Sequence, residues 1–258
     1  MMTDAPCTPS AIGKLRRLQA RAAARRIVPV HPRRGIVSFS FDDFPKSAAT
    51  IGAAELERVG ARGTYYASAG FVGAHNHHGA LFHAADIVRL QATGHEIGNH
   101  TFSHLDCARA TPGDIIADVE KNTVALRSLG CRGPLRSFAF PYGEASPAAK
   151  RTLSGRFDTL RAVHRGLAHG RADFNLLPAH SLDGGDWGLD RVLKALAQAA
   201  RDASWLIVFT HDVQDAPTPW GCTQAMLRQA LETAKALDLD ILTVGEAAGR
   251  FVGEEQAA

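Results

Sequence analysis

Short apolar runs alternate along the chain with longer stretches in which apolar residues recur at helical spacing. The apolar runs predict strands at 35–41, 63–67, 95–98, 137–140, 159–163, 176–179, 205–210 and 240–244. The stretches between them predict helices at 46–59, 84–92, 111–129, 147–153, 189–202 and 223–237. Because strands alternate with helices, the pattern indicates an α/β fold with a parallel sheet, and we expect an incomplete (β/α) barrel.

The first 34 residues differ in charge from the rest of the chain. Residues 1–34 carry eight Lys and Arg and one acidic residue, whereas the remainder carries 21 basic and 25 acidic residues. We therefore expect a basic N-terminal tail over 1–34 and one globular domain over 35–258. Ser10 is placed to cap a tail helix that Pro29 would end, with arginines around a thin apolar stripe.

Such a helix suits two kinds of partner. It fits an anionic lipid surface, and it equally fits a solvated position packed on the domain or on the second subunit of a homodimer. Nucleic acid is a poorer partner, because the domain itself is acidic and no basic patch with interleaved aromatic residues follows the tail.

The composition is that of an ordinary globular protein. Hydrophobic residues make up 45% of the 258 residues and charged residues 21%, and no stretch approaches the roughly 18 apolar residues of a membrane span. The four cysteines follow no CxxC spacing, so the sequence indicates neither a disulfide framework nor a thiolate zinc site. The N-terminus lacks the apolar stretch of a secretory signal, so we expect a cytoplasmic protein.

Two adjacent carboxylates, Asp42 and Asp43, follow the first predicted strand. In barrels of parallel strands the chemistry collects at the C-terminal strand ends. Pro45 cannot continue a central strand, so the turn there lets the two carboxylates take different tasks around one pocket. The alternative is a pair that caps a helix starting near Lys46.

His100 and His104 follow the third predicted strand. Their HxxxH spacing places both imidazoles on one face of a helical turn, and with Asp43 they complete a metal-binding triad that leaves positions open. An isolated HxxxH pair would often be a surface accident. This donor set accepts zinc, cobalt, nickel or manganese, and we expect one divalent ion, with zinc as the first choice. His95 lies inside the strand and is expected in the core or beside the metal ligands, not as a ligand itself.

Two further histidine groups remain. The residues His75, His77, His78 and His83 offer alternative metal ligands, but their setting rich in Gly and Asn predicts an exposed loop near the site. His211 ends the apolar run WLIVFTH, where a barrel places catalytic groups. Because histidine titrates close to neutral pH, we expect His211 to act as a general acid, with a structural hydrogen-bonding role as the alternative.

Over residues 35–250 the chain resembles the polysaccharide deacetylases of the NodB-homology type (carbohydrate esterase family 4), which share a distorted barrel of about seven strands. The resemblance lies in SFDDF, HTFSH, FAFPYG, DGGDW and VFTH. It implies a general base at Asp42, a general acid at His211 and a metal held by Asp43, His100 and His104. It also implies an oxyanion donor at the backbone N–H of Tyr142, next to Pro141.

The chain departs from this family in its third motif. Phe138 and Ala139 stand where an arginine that orients the base is expected, and we expect Arg161, at the end of the next strand, to replace it. From the fourth motif the resemblance implies that Asp183 tunes the acid histidine and that Trp187 forms an aromatic wall.

The resemblance implies N-acetylglucosamine units as substrate. Without a secretory signal, the expected substrate is a lipid-linked exopolysaccharide intermediate, of the kind that builds adhesins such as holdfasts, with the tail near the inner face of the membrane. Two alternatives stay open: a hydrolase of a small amide or cyclic imide on the same metal site, and a non-catalytic carbohydrate-binding protein.

Overall fold

The computed structural model describes residues 11–184 and 186–252. In these ranges the strands are β1 (Ile27–Val30), β2 (Ile36–Phe41), β3 (Thr64–Ala67), β4 (His75–Asn76), β5 (Gly79–Ala80), β6 (Glu96–Asn99), β7 (Ser137–Ala139), β8 (Thr159–Arg161), β9 (Gly170–Asp173), β10 (His180–Ser181), β11 (Trp205–Thr210) and β12 (Asp240–Ile241). The helices are α1 (Ala11–Ala22), α2 (Ala53–Arg58), α3 (Ala84–Ala92), α4 (Pro112–Ser128), α5 (Pro147–Leu153), α6 (Asp186–Asp202), α7 (Gln224–Ala236) and α8 (Val244–Val252). A π-helical turn (Ala48–Gly52) precedes α2.

A curled parallel sheet forms the centre of the molecule. Its strands run in the order β10-β11-β2-β3-β6-β7-β8, and β12 pairs with the first residues of β2. The last residues of β2 pair with β3. Because helices connect the parallel strands, the sheet curls into a half-barrel, and the predicted incomplete barrel of about seven strands is confirmed.

The central strands are buried on both faces, as parallel strands covered by helices require. All six residues of β11 are buried, and they alternate between two core clusters: Leu206 and Val208 belong to one, Trp205, Ile207 and Phe209 to the other. This alternation follows from the two-residue period of a strand. It leaves only the end of the strand free to present polar side chains.

Most predicted elements lie where the pattern placed them, and two strands do not. Residues 176–179 form no strand, because a turn bond from Leu176 N–H to the Asp173 carbonyl leaves only one bridge, between Leu177 and Arg161. The predicted strand at 240–244 ends at Ile241. There Thr243 and Glu246 exchange backbone-to-side-chain hydrogen bonds, a capping box that starts α8.

The segment before β2 packs on the domain. Helix α1 is present, and β1 pairs antiparallel with β9 and buries Val28 and Val30. The Lys150 ammonium donates to the carbonyls of Ala20 and Ala23 at 2.7 and 2.8 Å. The same ammonium lies 2.7 Å from a carboxylate oxygen of Asp173. These contacts join the end of α1 to α5 and β9. Among the described helices, none is long and apolar enough to cross a bilayer.

Candidate active site

The C-terminal ends of the parallel strands surround one cavity of about 320 Å³. A cavity of this size is at the lower end of the range for small-molecule sites. Its walls come from the turns after β2, β6, β7 and β11, from the loop that follows β8, from the turn between β4 and β5, and from β10 and the residues after it. The lining residues are Asp42, Asp43, His77, His78, His100, His104, Tyr142, Gly143, Val163, Ser181, Asp183, Phe209, His211 and Trp220.

Three of the lining residues other than glycine have left-handed backbone conformations. Asp43, His104 and Tyr142 have φ angles of 58°, 56° and 59°. Such angles are unfavourable for residues other than glycine and persist where surrounding structure enforces them, commonly at functional sites. Asp42 still donates its N–H to the Thr210 carbonyl, as a strand residue would. The turn at Asp43 therefore breaks the strand alternation and lets both carboxylates face the cavity.

The imidazoles of His100 and His104 converge on one carboxylate oxygen of Asp43. Asp43 Oδ1 lies 3.6 Å from His100 Nε2 and 3.4 Å from His104 Nε2. In a tetrahedral zinc site with bonds of 2.0–2.1 Å the donors lie about 3.3 Å apart. Asp43 Oδ1 and His100 Nε2 are also buried without a hydrogen-bond partner among the described residues. The three donors therefore fit a divalent metal ion.

The protonation states of His100 and Asp43 suit the same task. His100 Nδ1 lies 2.8 Å from the Ala139 carbonyl, which can only accept, so Nδ1 carries the hydrogen and Nε2 offers a lone pair. Burial, with a smaller contribution from His104, lowers the pKa of His100 to about 4. Burial raises the pKa of Asp43, but the imidazoles around it outweigh this effect and lower that pKa to about 2. A neutral imidazole and an ionised carboxylate are the ligand forms that metals bind.

The predicted substitute arginine contacts the predicted base. Arg161 Nη2 lies 2.5 Å from both carboxylate oxygens of Asp42. The guanidinium is fully buried, with its central carbon 5.1 Å from the ring centre of Tyr66 and 5.0 Å from that of Phe209. Arg136, the arginine that precedes the FAFPYG motif in the sequence, pairs instead with Asp158.

His211 reaches the same cavity from the end of β11. Its Nδ1 lies 3.2 Å from the Trp220 carbonyl, so the hydrogen is on Nδ1 and Nε2 is the nitrogen left for the cavity. Burial lowers the pKa of His211, while the charges of Asp42 and Asp43 act in the opposite direction. His211 thus donates its Nδ1 hydrogen to a backbone carbonyl and not to a carboxylate.

The resemblance implies that the carboxylate of Asp183 tunes His211, whereas His211 Nδ1 contacts the Trp220 carbonyl. Asp183 lines the cavity, and its carboxylate lies 3.4 Å from Arg191. Trp187 lies in the first turn of α6, and its side chain is outside the described residues. The aromatic wall that the structure does describe is Trp220, a residue to which the sequence pattern assigned no role.

The expectation of an exposed histidine loop holds for His75 and is wrong for His78. The hairpin β4–β5 folds so that His78 is 3% exposed, with Nε2 3.6 Å from Asp43 Oδ2. His78 Nδ1 lies 3.3 Å from Asp212 Oδ1. A turn rich in Gly, Asn and His gives no sign of which imidazole is buried. The sequence does offer one sign that Asp212 belongs to the site, because this residue directly follows His211 at the end of a strand. His95 lies in the core, bonded to Glu57 and Gly63.

The polysaccharide deacetylase family model matches residues 30–155. The chitooligosaccharide deacetylase of Bradyrhizobium sp. (strain ANU 289) is 30% identical over 154 residues, which are 58% of this chain and 61% of that protein. The chitin deacetylase of Arthroderma benhamiae is 23% identical over 215 residues, 83% of this chain and 52% of that protein. The chain thus spans between half and two thirds of the length of these curated relatives.

Solved structures extend the likeness in fold beyond the matched segment. The chitin deacetylase from Colletotrichum lindemuthianum superposes with a TM-score of 0.62 at 20% identity, covering 85% of this chain and 90% of that one. A family 4 acetyl xylan esterase from Clostridium thermocellum in complex with a cobalt ion gives a TM-score of 0.55 at 23% identity, covering 82% and 89%. Family model, relatives, motifs and fold agree, and together they support a polysaccharide deacetylase of the NodB-homology type, carbohydrate esterase family 4.

Proposed function

We propose that this protein is a metal-dependent N-deacetylase that removes acetyl groups from N-acetylglucosamine-type residues of a polysaccharide or of its lipid-linked precursor. One observation carries the proposal: the donors of Asp43, His100 and His104 converge beside Asp42, which Arg161 holds in the same cavity. The names of the two curated relatives support the chemical class of substrate.

The metal would be held by Asp43, His100 and His104. When bound, a divalent ion there supplies a Lewis acid that polarises the acetamide carbonyl and lowers the pKa of a coordinated water. Zinc is our first choice, because two imidazoles and a carboxylate suit it, and cobalt, nickel or manganese would also be accepted. The solved relative with a cobalt ion supports a divalent metal in this fold.

The remaining chemistry belongs to the side chains around that site. Asp42 takes the proton of the attacking water, and the Arg161 contact to both of its oxygens fixes the orientation of the carboxylate. His211 donates its Nδ1 hydrogen to the Trp220 carbonyl, so Nε2 is the atom that delivers a proton to the departing amine. The backbone N–H of Tyr142 stabilises the developing oxyanion, and Pro141 sets the start of that turn.

The surface next to the cavity supports an anionic substrate. A second cavity of about 260 Å³ is lined by the exposed residues Arg21, Arg25, Arg165 and Arg171. None of these four arginines forms an ion pair within residues 11–184 and 186–252, and the cavity's one carboxylate, Asp173, is paired with Lys150. Arginine guanidinium groups bind phosphate strongly. A phosphate-bearing lipid-linked glycan therefore suits this surface better than a neutral chain.

The two cavities are adjacent along the backbone. Val163 lines the first cavity and His164, the next residue, lines the second. Consecutive Cα atoms are about 3.8 Å apart, so the two linings meet at this point of the backbone, and we propose that a glycan whose sugar occupies the first cavity extends toward the second.

The substrate class is tested by acetate release from metal-loaded protein. Neutral chitooligosaccharides are compared with diphosphate-linked N-acetylglucosamine oligomers of equal length. We expect turnover of both, a lower KM for the diphosphate-linked series, and loss of that difference in the double variant Arg165→Ala, Arg171→Ala. Hydrolysis of small amides or cyclic imides without acetate release from either glycan would favour the alternative hydrolase. Glycan binding without any turnover would favour the carbohydrate-binding alternative.

We also propose that the basic N-terminal segment contacts the inner face of the membrane. Arg16, Arg21 and Arg25 are exposed on or beside α1, and Arg17 pairs with Glu144. Co-sedimentation with anionic vesicles should fall when Arg16, Arg21 and Arg25 are changed to glutamine, whereas neutral vesicles should pellet neither protein. Equal pelleting of the variant and the wild type with anionic vesicles would reject this contact.

A further inference from the structure

A second set of metal-binding donors lies on the opposite oxygen of Asp43. The ligand atoms of Asp43, His78 and His211 all lie within 4.8 Å of one another, as do those of Asp43, His100 and His104. Asp43 Oδ1 faces His100 and His104, whereas Asp43 Oδ2 lies 3.6 Å from His78 Nε2. One carboxylate therefore stands between two pairs of imidazoles, the arrangement by which a carboxylate bridges two metal ions.

The second pair of imidazoles is held in the form that binds metal. His78 Nδ1 donates to Asp212 Oδ1 at 3.3 Å, which leaves the Nε2 lone pair directed to Asp43. A histidine with a carboxylate on its far nitrogen is the usual outer arrangement of a metal ligand. The Asp212 carboxylate in turn accepts hydrogen bonds from the Thr218 N–H at 2.9 Å and from the Thr218 hydroxyl at 2.5 Å. His211 is oriented likewise by the Trp220 carbonyl.

Packing fixes both rings next to each other. His78 and His211 stack with ring centres 4.7 Å apart and an angle of 9° between their planes. Gly221 is required for this arrangement, because a Cβ at that position would lie 2.4 Å from Asp212 Oδ1. The residues that would hold a second ion are therefore preorganised.

We propose that Asp43, His78 and His211 form a second, weaker metal site, and that its occupation inhibits the enzyme. This inference rests on the proposed function for its inhibitory part alone. A divalent ion bound through His211 Nε2 occupies the nitrogen that delivers the proton to the departing amine. Excess zinc would then stop turnover while the ion at His100 and His104 stays in place.

The test is the number of zinc ions bound, measured by isothermal titration and by elemental analysis of chelator-treated protein that is reloaded with zinc. We expect two zinc ions per wild-type chain and one per chain in His78→Ala and in the bulkier variant His78→Gln. His75→Ala is the matched control, since it removes an exposed imidazole of the same hairpin and should keep both ions. Asp212→Asn should weaken the second ion about 10- to 100-fold.

A wild-type chain that binds a single zinc ion under excess metal would overturn the proposal. Two bound ions in both His78 variants, with circular dichroism spectra that show folded protein, would overturn it as well. These readings need no substrate, so they stay separate from any failure of the deacetylase proposal. In the activity arm, excess zinc should inhibit the wild type and His75→Ala at the concentration that fills the second site. If filling that site leaves turnover unchanged, the inhibitory part is wrong.

Discussion

Arg161 places a single guanidinium nitrogen 2.5 Å from both oxygens of Asp42, although the two residues are 119 positions apart in the sequence. Asp42 directly follows the central strand β2, and Arg161 is the last residue of the edge strand β8. The guanidinium reaches across the curled sheet between the rings of Tyr66 and Phe209. A charged group that is fully buried needs such a partner, because an unpaired buried charge is strongly destabilising.

The first prediction concerns this pair. Arg161→Lys should lower kcat about 100-fold, because an ammonium cannot reproduce the fixed planar contact that holds the proposed base in place. The zinc content should stay at the wild-type value, since Arg161 contacts no proposed metal ligand. Arg136→Ala is the control: this arginine pairs with Asp158 away from the cavity and should leave kcat unchanged. Equal kcat values for Arg161→Lys and the wild type would show that Arg161 does not hold Asp42 in its active orientation.

The second prediction concerns the turn after β7. Gly143 has a φ of 66°, and a Cβ there would lie 2.3 Å from the Cβ of Val163. Gly143→Ala should therefore displace Tyr142 and reduce kcat, in addition to a loss of about 1–3 kcal/mol in the free energy of unfolding. Gly133→Ala is the matched control, because Gly133 has a similar φ of 72° but open space around it. It should lose about 1 kcal/mol and keep its activity.

The third prediction concerns the pH dependence of stability. Hydrogen bonds from Arg228, with smaller contributions from Gln224 and Arg58, lower the pKa of the buried Glu55 carboxyl to about 2. A depressed pKa means that the folded state binds this proton more weakly than the unfolded chain. The stabilisation is therefore complete above the unfolded value of about 4.5 and is lost as the pH falls toward 2.

Glu55→Gln should consequently unfold about 2 kcal/mol more easily than the wild type at pH 7, and this difference should shrink below pH 4.5. Glu232→Gln changes an exposed partner of Arg58 and should have little effect at any pH. Urea titrations at several pH values measure both. A difference between Glu55→Gln and the wild type that stays constant from pH 7 to pH 3 would contradict the assigned role of Glu55.

The fourth prediction concerns the boundary at residue 34. A chain that starts at Gly35 loses β1, and with it the burial of Val28 and Val30 and the carbonyl partners of Lys150. Its free energy of unfolding should fall by about 3–6 kcal/mol, since burying each valine contributes about 1.5–3 kcal/mol. A chain that starts at Ala11 keeps these contacts and should be clearly more stable. Equal stability of the two truncations would show that residues 11–34 add nothing to the domain.

The sequence predicted the elements whose pattern is local. The strand at 205–210 and the helices at 84–92 and 147–153 match the structure residue for residue, because a fully apolar run and helical spacing need no distant partner. The convergence of Asp43, His100 and His104 was predicted from the rule that the C-terminal ends of parallel strands collect at one end of a barrel. The pattern does not predict α8, which the capping box at Thr243 starts, and only the first residue of that helix, Val244, falls within the predicted strand.

Features set by distant contacts were harder to predict. His78 looks like its exposed neighbours in the sequence, and only the fold of its hairpin brings it to Asp43. Trp220 follows a polar loop without periodicity, so nothing local indicated that it lines the cavity. The order of strands in the sheet, not the motif, decides that Arg161 rather than an arginine next to FAFPYG reaches Asp42.

The most direct test of the central proposal is acetate release from chitooligosaccharides by protein that has been stripped with a chelator and reloaded with one equivalent of zinc or cobalt. Asp43→Ala and Asp42→Asn are measured in parallel. We expect no release from stripped protein and restored release after reloading. Asp43→Ala should lose both the metal and the release, whereas Asp42→Asn should lose the release and retain the metal. Release that persists after stripping, or in either variant, would contradict it.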